Sequence, residues 1–186
     1  MPQAAGARDD RLVQVRQASF EDAARIAEIH VLGWQGGYKG LLPQAYLDGL
    51  DPNGARLDRW MRSLQMADWS REGTLVVAGA DGELAGFAGF GPTRDGDDDA
   101  ERVGEIRAIY LRPDSWGQGL GRALMAATLR QLADLGYTEV TLWVLDTNLR
   151  AQRFYDAAGF SPDGAAKVDE SLDFPLHELR YRRPLR

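Results

Sequence analysis

The chain of 186 residues contains no cysteine. That excludes a disulfide framework, a cysteine–zinc centre and a thiol acting as nucleophile or acyl carrier. Histidine is nearly as scarce. Only His30 and His177 occur, and no H-E-x-x-H pattern exists, so a histidine-built metal site would need carboxylate partners. No apolar run approaches the ~20 residues that span a bilayer. The opening MPQAAGARDDR lacks the apolar stretch of a signal peptide. A formal charge of −6 is the reverse of the basic footprint expected of a nucleic-acid binder. Residues 1–11 therefore read as a disordered tail and residues 12–186 as one domain, with a cytoplasmic location and neither membrane nor nucleic-acid partners expected.

The acidity is local, since Asp95, Asp97, Asp98 and Asp99 supply four of the six excess charges. The run starts like a calcium loop, D-x-D-x-D-G, but its glycine is misplaced and no glutamate closes it. A solvated hairpin loop and no metal are expected there.

Glycine, by contrast, is plentiful. There are 21, against roughly 13 from an average usage of ~7%. Four lie in the stretch Gly33-Trp34-Gln35-Gly36-Gly37-Tyr38-Lys39-Gly40, which reads as a flexible loop. Around it, Leu12 to Arg16 alternates like a strand, and Ser19 with Asp22 forms a capping box before an amphipathic helix through His30. A further helix is expected from about Gly54 to Asp68. Strands are expected at 74–78, 84–90, 103–111 and 140–145, with later ones near Phe160 and from Leu176 to Arg182. Helices are expected from Gly117 to Leu135 and from Leu149 to Ala158. The order indicates a mixed α/β domain.

One stretch carries chemistry. Strand Val103–Leu111 runs into Trp116-Gly117-Gln118-Gly119-Leu120-Gly121-Arg122 and then a helix. Glycines at a strand-to-helix turn let a ligand approach the backbone, and a helix start offers unpaired N–H groups at the positive end of its dipole. Such a turn suits phosphate or pyrophosphate, and Arg122 adds a positive charge. The pattern is no P-loop, and the dinucleotide fingerprint G-x-G-x-x-G lacks its third glycine. Asp146, at the end of the next strand, keeps a dinucleotide reading open as a distant alternative.

The segment Gln118-Gly119-Leu120-Gly121-Arg122 resembles the pyrophosphate loop of the GNAT superfamily of N-acetyltransferases, [Q/R]-x-x-G-x-[G/A], with Trp116 where the family usually has glutamine or arginine. Downstream, Asn148, Ala151, Phe154, Tyr155, Gly159 and Phe160 are similar to the family's second signature, N-x-x-[A/S]-x-x-[F/L]-Y-x-x-x-G-F. The resemblance implies a single GNAT-type domain, a mixed sheet of six to seven strands flanked by about four helices. It implies acetyl-CoA as co-substrate, no metal, and direct acetyl transfer to a primary amine of a small molecule or peptide; family members often form homodimers. Backbone groups at Ile109, Tyr110 and Leu111, the turn Gly117, Gln118, Gly119, Gly121 and Arg122, and the side chains of Asn148 and Tyr155 would bind the cofactor. Tyr155 would also protonate the leaving thiolate, since tyrosine is neutral at pH 7. Asn148 could equally be a helix N-cap. Glu105, fourteen residues before Gly119, resembles the general base of one branch of the family, or is a surface glutamate. A bulge in strand 103–111, which the sequence does not reveal, would part it from the next strand. Trp34 and Tyr38 would meet the amine, with Tyr46, His177 and Glu178 as further residues near the acceptor. The alternative from another class is a non-catalytic acyl-CoA sensor, which would need neither Tyr155 nor Glu105.

Overall fold

The computed structural model describes residues 13–185, so the expected tail of residues 1–11 lies outside the described residues. Seven strands, β1 (Val15–Gln17), β2 (Gly73–Ala78), β3 (Leu84–Pro92), β4 (Val103–Leu111), β5 (Glu139–Leu145), β6 (Ser161–Asp169) and β7 (Leu176–Pro184), form one sheet. Its order is β1-β2-β3-β4-β5-β7-β6. Helices α1 (Ala23–Gly37), α2 (Gln44–Asp48), α3 (Ala55–Gln65), α4 (Leu120–Asp134) and α5 (Leu149–Ala157) cover it.

The two-residue period of the strands divides the core. Leu75 and Val77 of β2 face α4, where they join Leu124, Leu132, Val140, Leu142 and Val144. Val76, between them, faces the other way and joins Ile26, Ile29, Trp60 and Phe87 under α1 and α3. A sheet buried on both faces explains why β2 reads as a continuous apolar run rather than an alternating one.

All neighbouring strands are antiparallel except β4 and β5. That parallel pairing is short, because only Val103↔Glu139, Gly104↔Val140 and Glu105↔Thr141 are in register. On the opposite edge of β4, Gly89 opposes Ala108 and Phe90 opposes Ile106, leaving Arg107 as an extra residue. A bulge of this kind bends a strand and breaks its ladder. Beyond Glu105, β4 therefore diverges from β5, and the sheet opens into a cleft.

Two expectations need correction. The glycines from Gly33 to Gly37 do not loosen a loop; they form the last turn of α1. A Cβ on Gly33 would lie 3.0 Å from the Tyr110 side chain, and one on Gly36 would lie 2.6 Å from Pro113 and 2.9 Å from Trp116. Glycine lets the helix pack closely against β4 and the turn after it. The aspartate run is likewise not simply solvated. Arg180, whose side chain is 7% exposed, pairs with Asp97 (2.8 Å), Asp98 (3.2 Å), Asp95 (3.3 Å) and, on β6, Asp163 (2.7 Å). Arg182 reinforces Asp98 and Asp163. The loop is stapled across β7, with the carboxylates of Asp95, Asp97 and Asp98 meeting guanidinium groups.

Candidate active site

The cleft between β4 and β5 is a cavity of about 410 Å³. One bank is β4 from Ile106 to Leu111; the other is Trp143 and Val144 of β5 with Asn148, the N-cap of α5, and Ala151, Phe154 and Tyr155 of that helix. The glycine turn closes one end through Gly117, Gly119, Gly121 and Arg122.

Backbone direction on β4 follows from one bond. Arg112 donates its N–H to the Ala85 carbonyl on β3 at 2.8 Å. Alternation then turns the N–H groups of Leu111 and Ile109 away from β3 and into the cleft. Tyr110 takes the opposite sense: its N–H faces β3, and its hydroxyl lies 3.1 Å from that of Tyr38, the C-cap of α1.

At the turn, Gly117 and Gly119 have φ of +77° and +84°, conformations that side chains rarely adopt. Gly119 is the N-cap of α4 and no side chain caps the helix, so its first N–H groups are left for a ligand. Gly121 is helical, with a hypothetical Cβ at ordinary contact distance from Leu111 and Phe154. Gln118 turns aside, donating its amide to the Asp114 carbonyl at 3.0 Å, and does not line the cleft. Sequence reasoning missed Arg150. Its guanidinium lies 3.5 Å from the centre of the Trp116 ring, and both residues line the cavity. The departure at Trp116 was the available signal, since an indole face attracts a cation.

On α5, Asn148, Ala151 and Tyr155 are spaced so that one helix face meets the cleft. Asn148 Oδ1 accepts the Ala151 N–H at 3.1 Å, so the N-cap role is realised. Its Nδ2 donates to no partner among the described residues. The Tyr155 hydroxyl is likewise unpaired among them, while its ring packs against Phe154, Phe160 and Tyr181. Burial pushes the phenol above its ordinary value of 10.0 and keeps it protonated.

Glu105 and Trp34 lie differently from the rest. Glu105 is 2% exposed and stands where β4 and β5 are still paired, at the closed end of the cleft. Its Oε2 accepts from the Arg94 backbone N–H (3.1 Å) and Nε (3.0 Å), and its Oε1 from Nη2 (2.5 Å). Burial alone would raise its pKa, but the Arg94 hydrogen bonds and charge outweigh this and hold it below 4.5. Trp34 packs behind Tyr38, with ring centres 5.0 Å apart, while Tyr38 itself lines the cavity. His30 stacks on Tyr110 with ring centres 5.1 Å apart, and burial drops its pKa to about 3, so it supports the site as a neutral core ring. His177 is exposed.

The description Acetyltransferase (GNAT) family matches residues 42–160, more than half of the chain. The chain belongs to the GNAT acetyltransferase family. An uncharacterised N-acetyltransferase of Bacillus subtilis, YuaI, is 35% identical over 157 residues, covering 84% of this chain and 83% of that protein. A mycothiol acetyltransferase of Sanguibacter keddieii is 38% identical over 125 residues, covering 67% of this chain but only 39% of that longer protein. Among solved structures, the PaiA N-acetyltransferase of Thermoplasma acidophilum in complex with coenzyme A has a TM-score of 0.71 at 20% identity, covering 92% of this chain and 98% of its own. Membership makes this GNAT protein an acyltransferase with a seven-stranded mixed sheet. Among the described residues, no helix is long and apolar enough to cross a membrane.

Proposed function

We propose that this GNAT protein binds acetyl-CoA in the β4–β5 cleft and transfers the acetyl group directly to a primary amine of a small molecule or peptide. The observation that carries this reading is the parting of β4 from β5 beyond Glu105, which brings donors from both banks to one cavity. In this reading the glycine turn and the start of α4 hold the pyrophosphate, with Arg122 and the Trp116-backed Arg150 supplying positive charge. Asn148 Nδ2 donates to the pantetheine arm. The N–H groups of Ile109 and Leu111 polarise the thioester carbonyl and hold the oxyanion as the amine attacks. When the C–S bond breaks, Tyr155 gives its proton to the thiolate and regains one from the new amide nitrogen. Coenzyme A bound to the Thermoplasma protein and acetyltransferase activity in relatives' names support the donor half of the reading. The amine is inferred from chemistry.

Acetyl-CoA at about 100 times its Kd is expected to stabilise the fold by ~2.7 kcal/mol, raising Tm by roughly 5–10 °C, whereas NADH leaves it unchanged. Thermal denaturation with each ligand checks this, and the reverse pattern restores the dinucleotide alternative. Gly119→Val should raise the acetyl-CoA KM by about tenfold or more, because valine at φ +84° forces the turn open. Steady-state kinetics with acetyl-CoA varied would show it; an unchanged KM removes the turn from the binding site.

A further inference from the structure

Glu105 is fully engaged at the closed end of the cleft, which leaves open the question of which carboxylate meets a cationic acceptor. Glu178 is not among the residues lining the cleft; with Lys167, His177 and Asp146 it lines a second hollow, next to the end of β5. On β7 it is paired with Leu145, the last residue of β5, where β4 and β5 are no longer in register. It alternates in step with Arg180, so its side chain is on the sheet face opposite Tyr181, which packs into the α4 core. This is the face of α1, Tyr38 and Tyr110. On β6, Lys167 Nζ lies 3.5 Å from Glu178 Oε2 and 4.1 Å from the centre of the Trp143 ring, itself part of the cavity wall. Oε1 accepts no hydrogen bond among the described residues. The Glu178 side chain is only 19% exposed.

We propose that Glu178 is the carboxylate that binds the ammonium group of the acceptor, entering from the α1 face; the proposal rests on the amine-acetylation reading above. The groups that act on it electrostatically come from several elements: Lys167 and Asp169 on β6 and Arg94 in the β3–β4 loop. Tyr38, the C-cap of α1, and Tyr110 on β4 complete the surroundings; burial foremost, and the Glu178 charge in smaller part, hold both phenols protonated. Burial raises the Glu178 carboxyl above 4.5, Lys167 opposing, so it holds a proton more readily than Glu105 does. An acceptor ammonium gives one proton to Glu178. The freed lone pair forms the C–N bond, and Glu178 later returns that proton to water.

The test is steady-state kinetics of wild type, Glu178→Gln, Glu178→Asp and Glu105→Gln. The acceptor is whichever of spermidine, glycinamide, glucosamine and a lysine peptide amide the wild type acetylates fastest. Glu178→Gln should raise the acceptor KM by about tenfold or more and leave the acetyl-CoA KM within about twofold, with Glu178→Asp recovering part of the loss. Glu105→Gln should lower Tm while leaving the acceptor KM nearly unchanged. An unchanged acceptor KM in Glu178→Gln, or a parallel rise of both KM values, overturns the assignment of Glu178 and leaves acetyl transfer standing. A wild type that acetylates none of the four amines overturns amine acetylation, and the role of Glu178 with it.

Discussion

Replacing Tyr155 with phenylalanine is expected to lower kcat by roughly 10²–10⁴-fold while acetyl-CoA affinity changes by less than about twofold. The split follows from what the hydroxyl touches. Its ring packs on Phe154, Phe160 and Tyr181, contacts that phenylalanine keeps. The hydroxyl has no partner among the described residues, so its removal strands no buried group. All that disappears is a proton held above the ordinary phenol pKa and facing the cavity. Single-turnover rates together with acetyl-CoA titration separate the two effects. Undiminished turnover would show that the thiolate leaves without Tyr155 and would favour water as the acid. Weakened binding with unchanged chemistry would make Tyr155 a packing residue.

The largest expected loss of stability belongs to Arg180→Met, about 3 kcal/mol, or roughly 6–12 °C in Tm. Methionine fills the space but leaves Asp95, Asp98 and Asp163, with side chains 16%, 12% and 14% exposed, short of a guanidinium. The pH dependence has a definite sign. Burial would raise the Asp163 pKa, but the Ala165 N–H and the Arg182 and Arg180 guanidinium groups lower it below 3.8 overall. Its ionised form therefore contributes stability above pH 3.8, and that contribution is lost as pH falls through the depressed value. The gap between wild type and variant should narrow over the same window. Urea titrations between pH 3 and pH 7 would show the narrowing, and a gap independent of pH would place the loss in packing rather than charge.

Local features of this protein were legible in its sequence. The bounds of β4, Val103–Leu111, follow from a strand-like run ended by Pro113, and the glycine turn from residues that lie next to one another. The face formed by Asn148, Ala151 and Tyr155 follows from the second family signature, whose matching residues keep helical spacing. Features set by distant partners were not. Gly33 and Gly36 look like loop residues until Tyr110, Pro113 and Trp116 are placed against them. The aspartate loop looks solvated because Arg180, its main partner, comes 83 positions after Asp97. The bulge at Arg107 is a property of register between two strands, and neither strand carries it alone. Glu105 and Glu178 illustrate the same limit at the candidate site. Spacing from the glycine turn favours the first, whereas its engagement by Arg94 leaves the second, beside Lys167, as the carboxylate proposed to meet the acceptor.

The central claim is that this GNAT protein moves an acetyl group from acetyl-CoA straight to an amine. Thiol release measured alongside mass spectrometry of both acceptor and protein tests it most directly. The expected result is one coenzyme A per acetylated amine, no release without the amine, and an unmodified protein mass at every time point. Release without an amine product, or an acetylated protein that forms and decays during turnover, would contradict it.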